Sequence, residues 1–136
     1  MQVGDQTKQD ESVQSPIPFI GSFTRDMTVA SGTQAITGVG FTPSYIICLS
    51  STSGPTTSGC SVGFDNGITA RSLFDNHVNN ANTNNLDDQD CIGPRPTAGN
   101  DYSGHVQSFD SDGFTIVWVR TGTPSGNCLG RFMAFK

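Results

Sequence analysis

One run of residues, Gly113 to Arg120, constrains the fold of this chain more than any other stretch. It is the most continuous apolar, β-branched and aromatic segment in the sequence, and that composition predicts a β-strand. At a period of two its side chains form two sets: Phe114, Ile116 and Trp118 on one face, and Thr115, Val117 and Val119 on the other. Neither set marks a plainly solvated face, so we expect a central strand covered on both sides. The apolar run Tyr45 to Ser50 predicts a second such strand.

Two hairpins are predicted around tight-turn residues. The polar stretch Phe109 to Gly113, which ends in a residue that tolerates positive φ, separates the central strand from the run Tyr102 to Ser108. Asn66-Gly67 lies between two alternating runs, Cys60 to Phe64 and Ile68 to Phe74, and is the strongest hairpin signal in the chain. Both signals indicate antiparallel pairing.

The composition agrees with short strands joined by turns. The sequence contains 16 Gly and 7 Pro, and only 14% of its residues are charged. Eight strand-like runs follow one another: 19–28, 33–39, 45–50, 60–64, 68–74, 102–108, 113–120 and 128–135. Because 136 residues support one core but not two, we predict one all-β domain over residues 19–136, an antiparallel two-sheet sandwich that is jelly-roll-like in strand count.

Residues 1–18 differ from the rest of the chain, because they are polar and contain too few apolar side chains to fold alone. Two interpretations stay open. One is a disordered tail. The other is an extended arm that orders against a neighbouring subunit, with Pro16 and Pro18 keeping it extended.

Residues 75–101 predict a long loop rich in Asn, Asp, Thr, Gly and Pro, and a loop of this length is expected to be functional or mobile. Its amide side chains offer the donors and acceptors with which sugar hydroxyls are recognised, although amides also simply keep a loop hydrated. The candidate glycan-binding residues are Asn76, His77, Asn79, Asn80, Asn82 and Asn84.

The sequence predicts neither a catalytic nor a metal site. Asp87, Asp88 and Asp90 could gather calcium, but they lack the alternating spacing of an EF-hand loop, which favours solvated acids. The two histidines, His77 and His105, have no third ligand nearby, and no known nucleophile, zinc-protease, phosphate-loop or dinucleotide motif occurs. We therefore expect no enzyme activity, no cofactor and no metal.

Charge and hydropathy argue against two classes of partner, nucleic acids and membranes. The net charge is −5 and the seven Lys and Arg residues are dispersed, which argues against a nucleic-acid partner. No apolar run approaches the 18 residues of a membrane span, and no secretory signal is recognisable, so we expect a soluble protein without a membrane partner.

The four cysteines are interpreted as thiols and not as disulfides, because no secretory signal indicates an oxidising compartment. Cys48, Cys60 and Cys128 occur in strand-like surroundings and are expected to be buried and free. Cys91 occurs in a polar stretch, and its state stays open.

Three segments carry a resemblance to a known family. Gly38 to Ile47, then Ser108-Phe109 with Asp112 to Trp118, then Phe132 to Phe135, together resemble a small β-sandwich module of tailed-bacteriophage virion proteins. The resemblance covers about residues 20 to 136. Such modules occur at the ends of tail fibres and as free-standing surface proteins, and some are lectin-like. The resemblance implies a structural or adhesive role and supplies no catalytic residue.

Because the module occupies nearly the whole chain, the resemblance favours a capsid decoration (cement) subunit of the virion, assembled in the host cytoplasm as a homotrimer. Its partners would be other virion proteins, namely major capsid or tail proteins. Docking would use a sandwich face and the end of the arm: Pro16, Ile17, Pro18, Phe19 and Ile20. The alternative is a tail-fibre or receptor-binding module that recognises host surface glycans.

Overall fold

The structure, a computed structural model, describes residues 17–53, 58–78, 81–87, 89–94 and 99–136, with side chains omitted at 58, 76–78 and 81–85. Nine strands form within these residues: β1 Phe19–Asp26, β2 Gly32–Thr37, β3 Tyr45–Ser53, β4 Ser58–Asp65, β5 Ala70–Val78, β6 Ala81–Asp87, β7 Asp101–Asp110, β8 Gly113–Thr121 and β9 Asn127–Phe135. No helix long and apolar enough to cross a membrane occurs in this part of the chain.

The strands form two antiparallel sheets, which confirms the predicted all-β sandwich. The larger sheet has the order β1-β9-β3-β4-β5-β6, and the smaller has the order β2-β8-β7. Strands β3 to β6 pair consecutively, while β9 inserts between β1 and β3. Six strands in one sheet face three in the other.

The predicted organising strand is central, as expected. It is β8, the middle strand of the smaller sheet, and its Phe114, Ile116 and Trp118 side chains are fully buried. The Trp118 ring lies 5.4 Å from the Tyr102 ring and 5.9 Å from the Phe23 ring, centroid to centroid. Its indole N–H donates to the Gln34 side chain at 3.1 Å. Trp118 therefore joins both sheets in one core.

The prediction that this strand and β3 are covered on both sides is wrong. Thr115 and Val117 are half-buried and Val119 is exposed on the outer face of β8, while Leu49 is exposed on the outer face of β3. The physical reason is that the sandwich has only two layers, so each sheet has one packed face. The apolar residues on the outer faces need a different explanation.

Both predicted hairpins form. The β4–β5 connection contains Gly67 at φ 79°, and the β7–β8 connection is the two-residue turn Ser111-Asp112. The Asp112 carboxylate accepts the backbone N–H groups of Gly38 and Gly40 at 3.0 and 2.7 Å, and these bonds lower the pKa of Asp112. The turn is thereby attached to the β2–β3 connection.

The predicted loop over residues 75–101 is wrong for its first part. Strand β5 continues to Val78, and β6 pairs with it from Ser72↔Asp87 to Val78↔Ala81. Amide-rich sequence has low strand propensity, but the free edge of β5 supplies backbone partners whatever the side chains are. The chain then returns to the sandwich, where Cys91 and Ile92 are buried and Ile92 pairs with Gly104 of β7.

Candidate functional site: the outer face of the six-stranded sheet

A row of large apolar side chains crosses the outer face of the larger sheet. Leu49, Val62, Leu73 and Leu86 lie opposite one another on β3, β4, β5 and β6, through the pairs Leu49↔Val62, Val62↔Leu73 and Leu73↔Leu86. They are 46%, 51%, 61% and 68% exposed. We call these four residues the apolar strip.

A second row runs beside the strip. Ile20, Met133, Ile47 and Phe64 are neighbours on β1, β9, β3 and β4. Ile20 and Phe64 are exposed, and Met133 and Ile47 are half-buried. At the end of β3, the Tyr45 and Phe135 rings stack with centroids 4.4 Å apart. The apolar surface therefore spans all six strands.

The alternation of β4 is inverted relative to an ordinary sandwich strand. Its large residues Val62 and Phe64 point outward, while its small residues Ser61 and Gly63 are buried. The inner side has no room for larger ones, because a Cβ on Gly63 would overlap the carbonyl oxygen of Cys91. The buried Ser61 hydroxyl also pairs with the Ser50 hydroxyl at 2.6 Å. The packing of the 91–94 segment thus fixes which side of β4 faces outward.

The charged residues at the border of the strip are held close to the sheet. Arg71 and Arg131 each donate from the guanidinium to the carbonyl of the preceding residue, at 2.8 and 3.0 Å. Arg71 is the cross-strand neighbour of Phe64, and Arg131 that of Leu49. An apolar centre with an arginine rim is the composition typical of protein interfaces.

An exposed thiol marks one side of the strip. Cys60 precedes Val62 on the same face of β4, and the prediction that it is buried is wrong, because β4 presents its odd-numbered positions inward and its even-numbered positions outward. Cys48 and Cys128 are buried and free as expected, and Cys91 is buried and free as well. Burial raises the pKa of Cys128 to about 12, and contact with Cys48 together with burial raises that of Cys91 well above its usual value.

A thiol titration checks this arrangement. We expect one fast-reacting thiol per folded chain, that of Cys60, and four after unfolding, because a buried protonated thiol is a poor nucleophile. A chromogenic disulfide reagent measures both counts, and Cys60→Ser is the control that should remove the fast phase. Reductant should leave the melting temperature unchanged. A fast phase that survives in Cys60→Ser would contradict the described burial.

A smaller polar groove lies between the sheets, lined by Asp65, Arg71, Gln89, His105 and Gln107. The buried Asp65 carboxylate accepts the backbone N–H groups of Gly67 and Val106, both at 2.7 Å, and so connects β4 to β7. His105 Nδ1 lies 2.8 Å from the Asp90 carboxylate. The groove offers polar groups of the kind that bind carbohydrate hydroxyls, but the Asp65 carboxylate already has partners.

The predicted docking residues differ in exposure. Ile17 and Ile20 are 84% and 71% exposed, whereas Phe19 packs on Phe132 with ring centroids 6.0 Å apart. Pro18 is half-buried, and Pro16 lies outside the described residues. Ile20 belongs to the second apolar row, so the end of the arm leads onto the outer face.

The predicted glycan-binding residues that the structure describes belong to strands and not to a loop. Asn76 and His77 belong to β5, Asn82 and Asn84 belong to β6, and Asn79 and Asn80 lie outside the described residues. The backbone pairs Asn76↔Thr83 and His77↔Asn82 bring the two strands together. Asn76, His77, Asn82 and Asn84 therefore lie on two paired strands at the edge of the larger sheet.

The acids that were considered for calcium have other roles. Asp87 accepts the backbone N–H groups of Gln89 and Asp90 at 2.8 and 3.1 Å, as in an Asx turn. Asp88 lies outside the described residues. Among the residues that the structure describes, no group of three or more His, Cys, Asp or Glu side chains could hold a metal ion.

Comparison of the chain with protein-family models, with curated proteins and with solved structures finds no match.

Proposed function

We propose that this protein is a structural protein on the surface of a tailed-bacteriophage particle, a capsid decoration subunit that works as a homotrimer. The observation that supports the proposal best is the outer face of the larger sheet. A subunit that spends its functional life in an assembly can retain such a surface, whereas a freely diffusing monomer rarely exposes it.

The end of the arm supports the same proposal. Ile17 and Ile20 are exposed, and among the described residues β1 is the edge strand of the larger sheet, paired with β9. A free edge can pair with an extended segment or strand of a neighbour. The end of the arm and the edge of β1 together offer the particle an attachment site, and the partners would be major capsid or tail proteins.

Deletion of residues 1–15 tests the role of the arm. We expect a folded sandwich with an unchanged melting temperature, because β1 begins only at Phe19. We expect reduced occupancy on the particle, and lower particle resistance to heat or chelator, because the arm contributes only when it is ordered in the assembly.

Protein occupancy per particle, measured for the deletion and for the full chain at equal concentration, gives the result. Replacement of residues 1–15 by a Gly/Ser segment of equal length is the matched control for chain length, and it should behave like the deletion. Full occupancy with the deletion would contradict a contribution of residues 1–15 to attachment.

The second candidate is a tail-fibre or receptor-binding module that recognises host glycans. The observation that favours it is the polar groove beside His105 and Asp90, together with the amide-rich β5–β6 hairpin. Binding of the isolated chain to a glycan array would support this candidate. Co-purification with heads, without glycan binding, would support the decoration subunit.

A further inference from the structure

We infer that the outer face of the six-stranded sheet is covered by a second copy of this chain, so that the apolar strip is a surface for self-association. The inference rests on the proposed function in one respect, that this face is an assembly surface, and it names the partner. The occupant is another copy and not the capsid lattice.

The size of the face is the first argument. The four residues of the strip and Phe64 are 46–68% exposed, which amounts to roughly 500 Å² for side chains of this size. The largest apolar patch on a typical monomer is about 300–600 Å². With the second row and the Tyr45–Phe135 stack, the face approaches the ~800 Å² per partner of a standard protein interface.

The shape of the face is the second argument. Leu49, Val62, Leu73 and Leu86 stand on adjacent strands, whose spacing is about 4.8 Å, so they form evenly spaced ridges of similar height. A second copy presents the same spacing. Two such faces can interdigitate at the ~10 Å separation of stacked sheets.

The charges permit this contact although the chain is acidic. The net charge is −5, but the strip itself carries no charged residue. The charged side chains beside it are Arg71, Asp75 and Arg131, of both signs. Approach of two outer faces therefore does not bring like charges together at the apolar centre.

The chain's own N-terminal segment does not suit this surface. Its first sixteen residues include only three large apolar ones, Met1, Val3 and Val13, among polar and charged neighbours. A polar segment laid on the strip would leave its backbone groups over a surface without hydrogen-bonding partners. A copy of the strip has no such cost.

The test compares Val62→Lys with Val119→Lys in the full chain. The two valines are 51% and 45% exposed, but Val62 lies in the strip and Val119 on the outer face of the other sheet. Analytical ultracentrifugation over a concentration series should give the wild type an even multiple of the 14.4 kDa chain mass, because two like faces that pack on each other join chains in pairs. A pair of single chains has twice the chain mass, and a pair of the proposed trimers has six times that mass.

We expect Val62→Lys to weaken association by about 100-fold, because a lysine would have to be buried in an apolar contact. Val119→Lys should associate like the wild type. Melting temperatures close to the wild type establish that the variants fold. If Val62→Lys does not fold, Leu73→Lys is the second variant. Leu73 is the second most exposed residue of the strip.

The Cys60 thiol gives an independent measure, because it lies on the same face as Val62. Its rate of modification should fall as the wild-type concentration rises and should stay constant in Val62→Lys. A wild type of single-chain mass up to about 100 µM, or association unchanged by Val62→Lys and Leu73→Lys, would overturn the inference.

Binding of the variants to the particle distinguishes failure of the inference from failure of the proposed function. If the wild type is monomeric alone and Val62→Lys loses particle occupancy, the face binds another virion protein, so the inference fails and the proposed function stands. If the chain self-associates through the strip but is absent from particles, the inference stands and the proposed function fails.

Discussion

Trp118→Ala is expected to lower the free energy of unfolding by about 3–5 kcal/mol, the range for a large aromatic residue truncated in a packed interior. Trp118 is fully buried in the middle strand of the smaller sheet and contacts Phe23 of the other sheet. Its removal also leaves the Gln34 side chain without its indole donor. Chemical denaturation measures the loss of unfolding free energy. Thermal unfolding should show a fall of roughly 10–15 °C in melting temperature.

Val119→Ala is the matched control on the same strand, because Val119 follows Trp118 and points outward. It should change stability by less than about 0.5 kcal/mol, as exposed substitutions usually do. A larger loss from Val119→Ala than from Trp118→Ala would mean that the faces of β8 are assigned the wrong way round.

Gly63→Ala is expected to cost about 3 kcal/mol, the upper part of the range for overpacking. A Cβ at this position would overlap the backbone carbonyl of Cys91 and would stand 2.7 Å from the carbonyl oxygen of Arg71. Both obstacles are backbone atoms, so neither can turn aside as a flexible side chain would. We expect the 91–94 segment to separate from β4.

Amide hydrogen exchange locates that effect. The bonds from Cys91 N and Ile92 N to the Gly104 carbonyl, at 3.1 and 3.0 Å, should exchange faster in Gly63→Ala. Gly32→Ala is the control, because a Cβ on Gly32 meets no atom within 4 Å. If both alanine variants are equally stable, the close approach of Cys91 to β4 is not present in solution.

The strands and hairpins are predictable from the sequence because their signals are local. Alternation in 113–120 and the Asn66-Gly67 pair depend on near neighbours only. The strand and the hairpin that they predict are both present. The orientation of β4 was not predictable in this way. Alternation separates Val62 and Phe64 from Ser61 and Gly63, but a contact with the distant segment 91–94 decides which pair faces inward.

The candidate site was missed for the same reason. A large apolar residue in a predicted strand is ordinarily assigned to the core, so Val62 and Leu73 offered no sign that they face outward. The prediction that Cys60 is buried is wrong for the same reason. The one available signal was the small size of the alternate positions on β4, Ser61 and Gly63, which cannot by themselves fill a sandwich interior.

Strand β6 could not be predicted because its side chains do not favour a strand. The segment 81–87 contains three asparagines, which are depleted in β-structure. Its pairing comes from the exposed edge of β5, which is visible only once β3, β4 and β5 are assembled.

A cryo-EM map of the proposed phage particle tests the central claim, that the outer face of the larger sheet is an assembly surface, most directly. We predict density for this chain on the capsid surface, with Leu49, Val62, Leu73 and Leu86 turned toward the same sheet of a neighbouring copy and excluded from solvent. Density in which these four side chains face open solvent, on the head or at a fibre tip, would contradict the claim.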